Sequence, residues 1–244
     1  MSSFRTLLLA AAAVVTSGSA FAGVITYGGS NALVPDGSIS VSLRNTNFAA
    51  GTGVTIPKFD TALGTLTSIQ FVIGGTVISQ IRFENTGTAR TVTATSKATE
   101  TLTRPDTSVL VNNIPLQSVM VSEGSYDHTL DFGGTSGTSL TTANGNAVTA
   151  TLSTTSAVLT SATDKALFSQ AGGGSIFLPV KAVGGSTAAG GGNVTANIKT
   201  QASAQVLVQY VYVDAPPVSV PEPATMALLG AGLLAVGAMR RRSS

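Results

Sequence analysis

The one histidine of the chain lies in a short acidic stretch between Tyr126 and Asp131. A Ser-His-Asp site needs a nucleophile, a base and a group that orients the base. His128 with Asp127 or Asp131, together with one of the many serines, could supply all three. The chain has no Gly-x-Ser-x-Gly segment to present such a serine. We therefore interpret His128 as part of a surface turn between strands.

The acidic residues raise two other kinds of chemistry. Asp127 and Asp131 could ligate calcium, but calcium takes about six to eight oxygen ligands, and no Asp-rich loop of the known types is present. Two carboxylates that meet in space could hydrolyse a glycosidic bond, which the sequence leaves open. The chain has no cysteine, so a thiolate nucleophile and a Cys-ligated metal are excluded. We expect a protein that is not an enzyme and holds no metal and no cofactor.

The glycine runs do not form a phosphate-binding loop. Gly172 to Gly174 and Gly190 to Gly192 are not followed by the Lys-Ser/Thr pair of a P-loop. The charges exclude a further class of ligand. Residues 23–220 contain nine Lys or Arg and ten Asp or Glu, a net charge of −1. A nearly neutral body has no electrostatic footprint for nucleic acid, so we expect no nucleic-acid partner.

The N-terminus has the pattern of a secretory signal peptide, residues 1–22. Arg5 is followed by an apolar run from Leu7 to Val15 and then by the small-x-small cleavage site Ala20-Phe21-Ala22. We expect signal peptidase to cut after Ala22, so that the mature chain starts at Gly23. The alternative is a retained membrane anchor, but the apolar run is short for a membrane span.

The C-terminus has three parts in a fixed order. A turn-forming segment comes first, followed by an apolar run from Ala224 to Met239 and by a basic cluster at Arg240, Arg241 and Arg242. The first part consists of Val220, Pro221, Glu222 and Pro223. The tail resembles the PEP-CTERM sorting signal of Gram-negative bacteria in all three parts.

This resemblance implies a route of export. It implies recognition by exosortase in the inner membrane, cleavage near the Pro-Glu-Pro, and release or attachment of the body at the cell surface or in an exopolysaccharide matrix. The apolar run has sixteen residues, fewer than the roughly 20 of a comfortable span. Such a transmembrane helix suits a transient processing substrate. The alternative is a plain C-terminal anchor, in which Ala227, Ala231 and Ala235 form a small-residue row for helix packing.

The body between these ends has the composition of a β-protein. The chain is 43% hydrophobic but only 10% charged, against about 25% charged in ordinary globular chains. Threonine favours strands and glycine favours turns. Strand patterns occur at Ser38–Arg44, Arg90–Thr103 and Val206–Val213, and we expect the last, apolar on both faces, to be a central strand. A run from Ser68 to Asn85 is broken by Gly74-Gly75, which predicts a hairpin.

The second half predicts shorter strands. Residues 108–111, 116–121 and 149–159 are strand-like, and Ala166 to Phe168 suggests a helical turn. Residues 176–183 predict a strand at an edge or bulge because of Pro179. Loops are expected at 133–145 and 184–193.

A row of threonines distinguishes the strand from Arg90 to Thr103. Alternate residues of a strand share one face about 6.8 Å apart, so these side chains should form one ladder. The ladder contains Thr91, Thr93, Thr95, Thr99, Thr101 and Thr103. Flat hydroxyl faces suit ice or glycans, whereas a solvated strand face or a set of O-glycosylation acceptors gives the same pattern. We interpret it as a solvated face.

The pattern of evenly spaced strands predicts a single all-β domain, a β-sandwich of jelly-roll or Greek-key type, over residues 23–215. Residues 216–223 form a linker with the Pro-Glu-Pro, residues 224–239 a transmembrane helix and residues 240–244 a basic cytoplasmic tail. The body also resembles the choice-of-anchor E domain over residues 24–213. The residues that carry this resemblance are Phe59 to Leu66, Ala166 to Phe168, Gly192-Asn193 and Val208 to Val213.

The choice-of-anchor resemblance implies an exported, anchored surface module and supplies no catalytic residues. We therefore expect a non-enzymatic structural or adhesive protein of the cell surface or biofilm matrix, processed by signal peptidase and exosortase. The alternative is a carbohydrate-binding module that takes extracellular polysaccharide as its partner. It would need exposed aromatic side chains, and the chain has no Trp and only four Tyr.

Overall fold

The computed structural model describes residues 22–28, 39–49, 51–216 and 231–232. Residues 22–214 form one compact unit. Of the signal-peptide and tail predictions, most residues lie outside the described ranges. Ala20 and the sorting residues Val220, Pro221, Glu222, Pro223, Arg240, Arg241 and Arg242 are among these.

The first part of the unit contains eight strands and a 3-10 helix. The strands are β1 (Ala22–Tyr27), β2 (Ser40–Asn45), β3 (Gly53–Pro57), β4 (Phe59–Asp60), β5 (Gly64–Asn85), β6 (Arg90–Thr103), β7 (Val109–Asn113) and β8 (Leu116–Glu123). The 3-10 helix, Thr61–Leu63, separates β4 from β5.

The second part contains five strands and one short α-helix. They are β9 (Gly137–Leu140), β10 (Val148–Thr155), α1 (Ala162–Phe168), β11 (Ser169–Gln170), β12 (Ser175–Ala189) and β13 (Val194–Asp214). The side-chain hydroxyl of Ser161 caps α1 by accepting a hydrogen bond from the backbone N–H of Asp164. The prediction of an all-β body is confirmed.

Two antiparallel sheets and one short parallel pair organise these strands. In sheet A, β13 lies between β5 on one side and β1 and β2 on the other, while β9 and β10 extend the far side of β5. In sheet B, β12 lies between β3 and β6, and β7 and β8 pair with the far side of β6. The strands β4 and β11 form the parallel pair. The predicted central position of Val206–Val213 is confirmed, since these residues lie in β13.

Two connections carry the chain from one sheet to the other at the same end of the unit. Residues 86–89 join β5 to β6, and residues 190–193 join β12 to β13. The two connections bind each other: the backbone N–H of Thr86 donates to the carbonyl of Asn193 (2.8 Å), and Arg90 Nη1 donates to the carbonyl of Gly190 (2.9 Å). We call this end, defined by residues 86–90 and 190–193, the crossover end.

The sheets enclose three apolar clusters that follow one another along the strands. The largest contains Phe71 and Ile73 of β5, Leu102 of β6 and Val208 of β13. A small cluster of Val77, Ala98, Ala182 and Ala202 comes next, and a third, with Ile81, Phe83, Val92 and Ala94, lies nearest the crossover end. Polar side chains separate the clusters. Ser96 forms hydrogen bonds with Ser79 (2.7 Å) and Thr200 (2.9 Å) between the second and third.

The hairpin predicted at Gly74-Gly75 is wrong. Both glycines lie inside β5, which continues through them and pairs with β13 along its whole length. The reason is a need for space, because a Cβ at Gly75 would overlap the carboxyl group of Glu100. Local turn propensity is overridden by a side chain that crosses from the other sheet.

Three other local predictions are corrected. Residues 184–189, expected as a loop, belong to β12 and pair with β6. The loop expected at 133–145 contains β9. The edge or bulge expected at Pro179 fits the pairing, because residues 175–179 pair with β3 and residues 180–189 pair with β6, so the proline lies where the partner of β12 changes. Ile39, just ahead of β2, and Val41 are buried as expected, but a bulge opposite Ala202 and Ala204 leaves Leu43 42% exposed.

The central position of β13 gives a first test. Val208 is fully buried, so Val208→Asp would bury an unpaired charge and should destabilise the unit by about 3 kcal/mol or more. Gln205→Asp adds the same charge on the exposed side of the same strand and should change the melting temperature little. Thermal unfolding followed by circular dichroism compares the two. Equal melting temperatures for both variants would contradict the central position.

Candidate functional site

His128 lies in the loop between β8 and β9 and is exposed. Its backbone has φ 68°, a left-handed conformation typical of turns. Its ring lies 5.4 Å from that of Tyr126 between centroids. None of the described contacts brings a serine hydroxyl to its imidazole, so the structure does not assemble the Ser-His-Asp arrangement that the sequence left open.

The carboxylates near His128 hold the loop together. Asp127 Oδ1 accepts a hydrogen bond from the backbone N–H of Thr129 (3.0 Å), which lowers the pKa of Asp127. Asp131 Oδ1 accepts from the backbone N–H of Gly133 (2.8 Å). Among the described residues no group of three or more His, Asp or Glu side chains is close enough together to hold a metal ion. These carboxylates therefore act in turn formation.

The same loop covers a buried carboxylate that sequence reasoning missed. Glu84 of β5 is fully buried, although alternation places it on the outward side of sheet A. Its Oε2 accepts from the backbone N–H of Phe132 (2.7 Å) and its Oε1 from the hydroxyl of Ser136 (2.5 Å). A Cβ at Gly137 would overlap this carboxylate. Through these hydrogen bonds Glu84 holds the loop against β5 of sheet A.

A second buried carboxyl group lies between the sheets. Glu100 of β6 points inward into the space that Gly75 leaves open, and its Oε2 accepts a hydrogen bond from Asn113 Nδ2 (3.0 Å). Asn113 also donates to the carbonyl of Leu152 (3.0 Å) and accepts from the hydroxyl of Thr154 (2.8 Å). We call Gly75, Glu100 and Asn113 the carboxyl layer. It separates the first apolar cluster from the second.

The carboxyl layer is incompletely hydrogen-bonded within the described residues. Glu100 Oε1 is buried and has no partner there. The same holds for both side-chain polar atoms of Gln117, which lies opposite Ser96, four residues along β6 from Glu100. Burial raises the pKa of Glu100 to about 7, and the hydrogen bond from Asn113 opposes part of this rise. Glu100 is therefore largely neutral at the pH where an exposed carboxylate is charged. Being fully buried, it is out of reach of a substrate in this structure.

The sequence contained a signal for Glu100. In β6 the inward residues alternate with threonine, and four of the six are apolar, so position 100 could have been recognised as a carboxyl group on the core side. What the sequence could not supply was its neighbours. Gly75 and Asn113 come from two other strands, and Asn113 is itself held by Thr154 of a third.

The threonine ladder of β6 lies on the outer face of sheet B, as its alternation predicted. Thr91 is exposed at one end, but Thr101 and Thr103 are buried at the other. Thr91 shares a hydrogen bond with Ser122 of β8 (3.3 Å), and Thr95 bonds the hydroxyl of Thr187 of β12. Only part of the ladder is therefore a free hydroxyl surface.

Among the clefts outside the core are two that contain cations in their lining. One, of about 390 Å³, lies between the β6–β7 turn and α1, next to the salt bridge from Arg104 Nε to Asp164 Oδ1 (2.8 Å). The other, of about 70 Å³, lies on the outer face of sheet A and is lined by Gln80, Arg82, Asn197 and Lys199. The first holds its cation in an internal salt bridge. The second has an unneutralised pair of cations.

The first and last strands of the unit, β1 and β13, are paired, so the two chain ends of the unit are adjacent. Ala22 of β1 pairs with Val213 of β13, one residue before β13 ends at Asp214. A Cβ at Gly23, the second residue of β1, would overlap the ring of Tyr212, so a larger residue there would displace that ring. Six residues, 215–220, separate Asp214 from Pro221.

None of the helices in the described part of the chain is long and apolar enough to cross a membrane. The predicted transmembrane helix, residues 224–239, lies outside that part except for Ala231 and Gly232, which are helical.

Comparison with known proteins identifies the tail. The family model for the PEP-CTERM protein-sorting motif matches residues 219–242. Such signals mark proteins that are exported and sorted to the envelope or surface of bacteria. The match covers the sorting signal alone, so the resemblance of the body to the choice-of-anchor E domain stays a prediction.

No curated protein matches the chain. Solved structures from infectious bursal disease virus share weak similarity. The structure of its Gx strain is 13% identical with a TM-score of 0.24, covering 80% of this chain and 38% of the viral chain. The VP2 subviral particle is 14% identical with a TM-score of 0.14, covering 88% of this chain and 48% of the viral chain. The chain thus spans less than half the length of these viral chains.

The raised pKa of Glu100 gives a test by pH. Below its ordinary pKa of 4.5 the carboxyl group is neutral in the folded and the unfolded chain. Between about pH 4.5 and 7 the unfolded chain ionises first, so the free energy of unfolding falls, by on the order of 3 kcal/mol at roughly 1.4 kcal/mol per pKa unit. Urea unfolding at pH 4.5, 6 and 7.5 measures this fall.

The variant Glu100→Gln is the control for that fall, because it keeps the shape of the side chain and cannot ionise. Between pH 4.5 and 7.5, we expect the unfolding free energy of Glu100→Gln to fall less than that of the unchanged protein. The difference is the contribution of the Glu100 carboxyl group. Parallel pH profiles for the two proteins would show that Glu100 is ionised in the fold and that its neutral state does not support the core.

Proposed function

We propose that this protein is a non-enzymatic structural or adhesive component of the bacterial surface or extracellular matrix, delivered there through its PEP-CTERM tail. The single observation that carries the proposal is the sorting motif over residues 219–242. The body would be the cargo, a jelly-roll-like β-sandwich of the choice-of-anchor E kind. Signal peptidase and exosortase would be its processing enzymes, and the tail its temporary attachment to the inner membrane.

The geometry of the chain ends supports this route. A precursor with membrane segments at both ends must let both reach one bilayer. Ala22 and Val213 are paired neighbours, so both segments depart from adjacent strands. The linker 215–220 has six residues and spans at most about 20 Å when extended.

The polar core and surface support a structural role over catalysis. Of the described carboxylates, Glu84 and Glu100 are buried, and Asp127 and Asp131 stabilise turns. None of the described hydrogen bonds joins the His128 side chain to these carboxylates. The second candidate, a carbohydrate-binding module, is favoured by the hydroxyl and amide side chains on the outer sheet faces, which can exchange hydrogen bonds with sugars.

The tail gives the test of the proposal. In a host with exosortase, the surface-located protein should have an intact mass that lacks Ala224 to Ser244. Glu222→Ala, or replacement of Arg240, Arg241 and Arg242 by Ser, should leave the body in the inner membrane or mis-sorted, because the enzyme would lose its recognition or its orientation signal.

Asp214→Ala is the matched control, since it removes an exposed carboxylate just ahead of the matched segment. We expect it to be processed and sorted as the unchanged protein is. A surface-located protein whose mass still includes residues 224–244 would overturn the proposal and leave a plain C-terminal anchor. The cell fraction that contains the body is measured by immunoblotting.

A further inference from the structure

The small cleft on the outer face of sheet A brings together two cations and two carboxamides. Gln80 of β5 pairs directly with Lys199 of β13, and Arg82 pairs with Asn197 in the same ladder. Their side chains line a cleft of about 70 Å³.

No carboxylate in the described part of the chain forms an ion pair with either cation, Arg82 or Lys199. The carboxylate closest along the strand is Glu84, two residues from Arg82 on the same side of β5. Both of its oxygens are already occupied, by the N–H of Phe132 and the hydroxyl of Ser136, under a loop that buries it completely.

Arg82 and Lys199 lie diagonally across the ladder, and an anion between them would offset the repulsion of their like charges. The donors suit such an anion. The Arg82 guanidinium can donate two parallel hydrogen bonds to a carboxylate or sulfate, and the Lys199 ammonium adds a third donor and a second charge. Gln80 and Asn197 can donate from their carboxamide nitrogens. The cleft thus has the chemistry of a site for one anionic group.

The surface beside the cleft suits a polymer with many hydroxyl groups. The exposed side of β10 is a column of hydroxyls, and glutamines follow one another along β5 and β13 on the same face. These residues are Thr149, Thr151, Ser153 and Thr155, with Gln70, Gln201, Gln205 and Gln209. Same-face neighbours in a strand lie about 6.8 Å apart, which is the spacing of the hydroxyls along β10. The glutamines of β13 lie four residues apart, with Ser203 and Leu207 between them on the same face.

We propose that the outer face of sheet A binds an acidic polysaccharide, with one carboxylate or sulfate substituent held by Arg82 and Lys199 and the sugar hydroxyls bound along the hydroxyl and glutamine rows. An anionic membrane surface fits less well, because such surfaces attract clusters of about four to eight basic residues. This inference rests on the proposed function, since it names the extracellular partner of a matrix protein.

Binding of the exported protein to defined polymers tests the proposal. The probes are oligogalacturonate, dextran sulfate, neutral dextran and vesicles of phosphatidylglycerol, measured by calorimetry or biolayer interferometry. We expect binding to the two anionic polysaccharides, weakening as salt is added, and no binding to dextran or vesicles. The double variant Arg82→Gln with Lys199→Gln should lower the affinity for both anionic polymers by about tenfold or more.

A matched control is available on the other sheet. Lys97 and Lys181 are exposed on the outer face of sheet B, so Lys97→Gln with Lys181→Gln makes the same change in net charge elsewhere. We expect this control to retain its affinity within about twofold. Both double variants change exposed side chains, so their melting temperatures should equal that of the unchanged protein. Arg82→Lys, which keeps the charge but loses the planar fork, should lie between the two in affinity.

Several results would overturn the proposal. Equal loss in both double variants would show attraction by net charge alone, and binding to neutral dextran as tight as to the anionic polymers would show that the cleft has no part in recognition. Vesicle binding that depends on Arg82 and Lys199 would assign the cleft to a lipid surface. Absence of binding to either anionic polymer would remove the site. A protein that is correctly sorted yet fails these assays contradicts this inference alone, whereas an unprocessed tail contradicts the proposed function.

Discussion

The ladder between β5 and β13 is the interaction on which the other strands depend. It runs from the pair Asn85–Val194 to the pair Gly64–Asp214, with one register shift near Tyr212. On one side it supports β1 and β2, and on the other β9 and β10. The two connections at the crossover end lead from this ladder into β6 and β12, which pair with each other in sheet B. The register of the strands in both sheets therefore depends on the pairing of β5 with β13.

Such long strands cross the whole unit, and their inward residues change character along the way. Phe71 and Ile73 lie in the large apolar cluster, Gly75 gives space to Glu100, and Ser79 shares hydrogen bonds with Ser96. Polar layers of this kind cost stability because each buried group must find a partner. They also fix the register, since a slip of two residues would place the Glu100 carboxyl group against Val77 or Ile73. In a chain with few charges and no disulfides, this is a physical reason to keep a carboxyl group in the core.

The sequence predicted what alternation within one segment can reveal. The strand from Arg90 to Thr103, the central position of Val206–Val213 and the all-β class followed from local pattern. The errors arose where a distant residue decided the conformation. Gly74-Gly75 reads as a turn until the side chain of Glu100 is known to occupy the space above Gly75. Residues 184–189 read as a loop until β6 is known to pair with them.

The candidate sites show the same limit. The sorting tail is a contiguous signal and was readable in full, from Pro221 to Arg242. The cleft on sheet A was invisible, because Arg82 and Lys199 are more than a hundred residues apart and only the register of the long ladder brings them together. From the sequence alone, Arg82 would be expected to form a salt bridge with Glu84, two residues away. The structure shows instead that the loop before β9 covers the Glu84 carboxylate.

Native-state hydrogen exchange of the exported protein tests most directly whether the β5–β13 ladder supports the rest. The amides that open only in global unfolding identify the elements on which the fold depends. The account predicts that amides in residues 66–83 and 196–212 exchange slowest and with one common free energy, equal to that of global unfolding. The amides of β1, β2, β9 and β10 should exchange earlier, through local opening. Slower exchange in β6 and β12 than in β5 and β13 would contradict the account and place the organising ladder in sheet B.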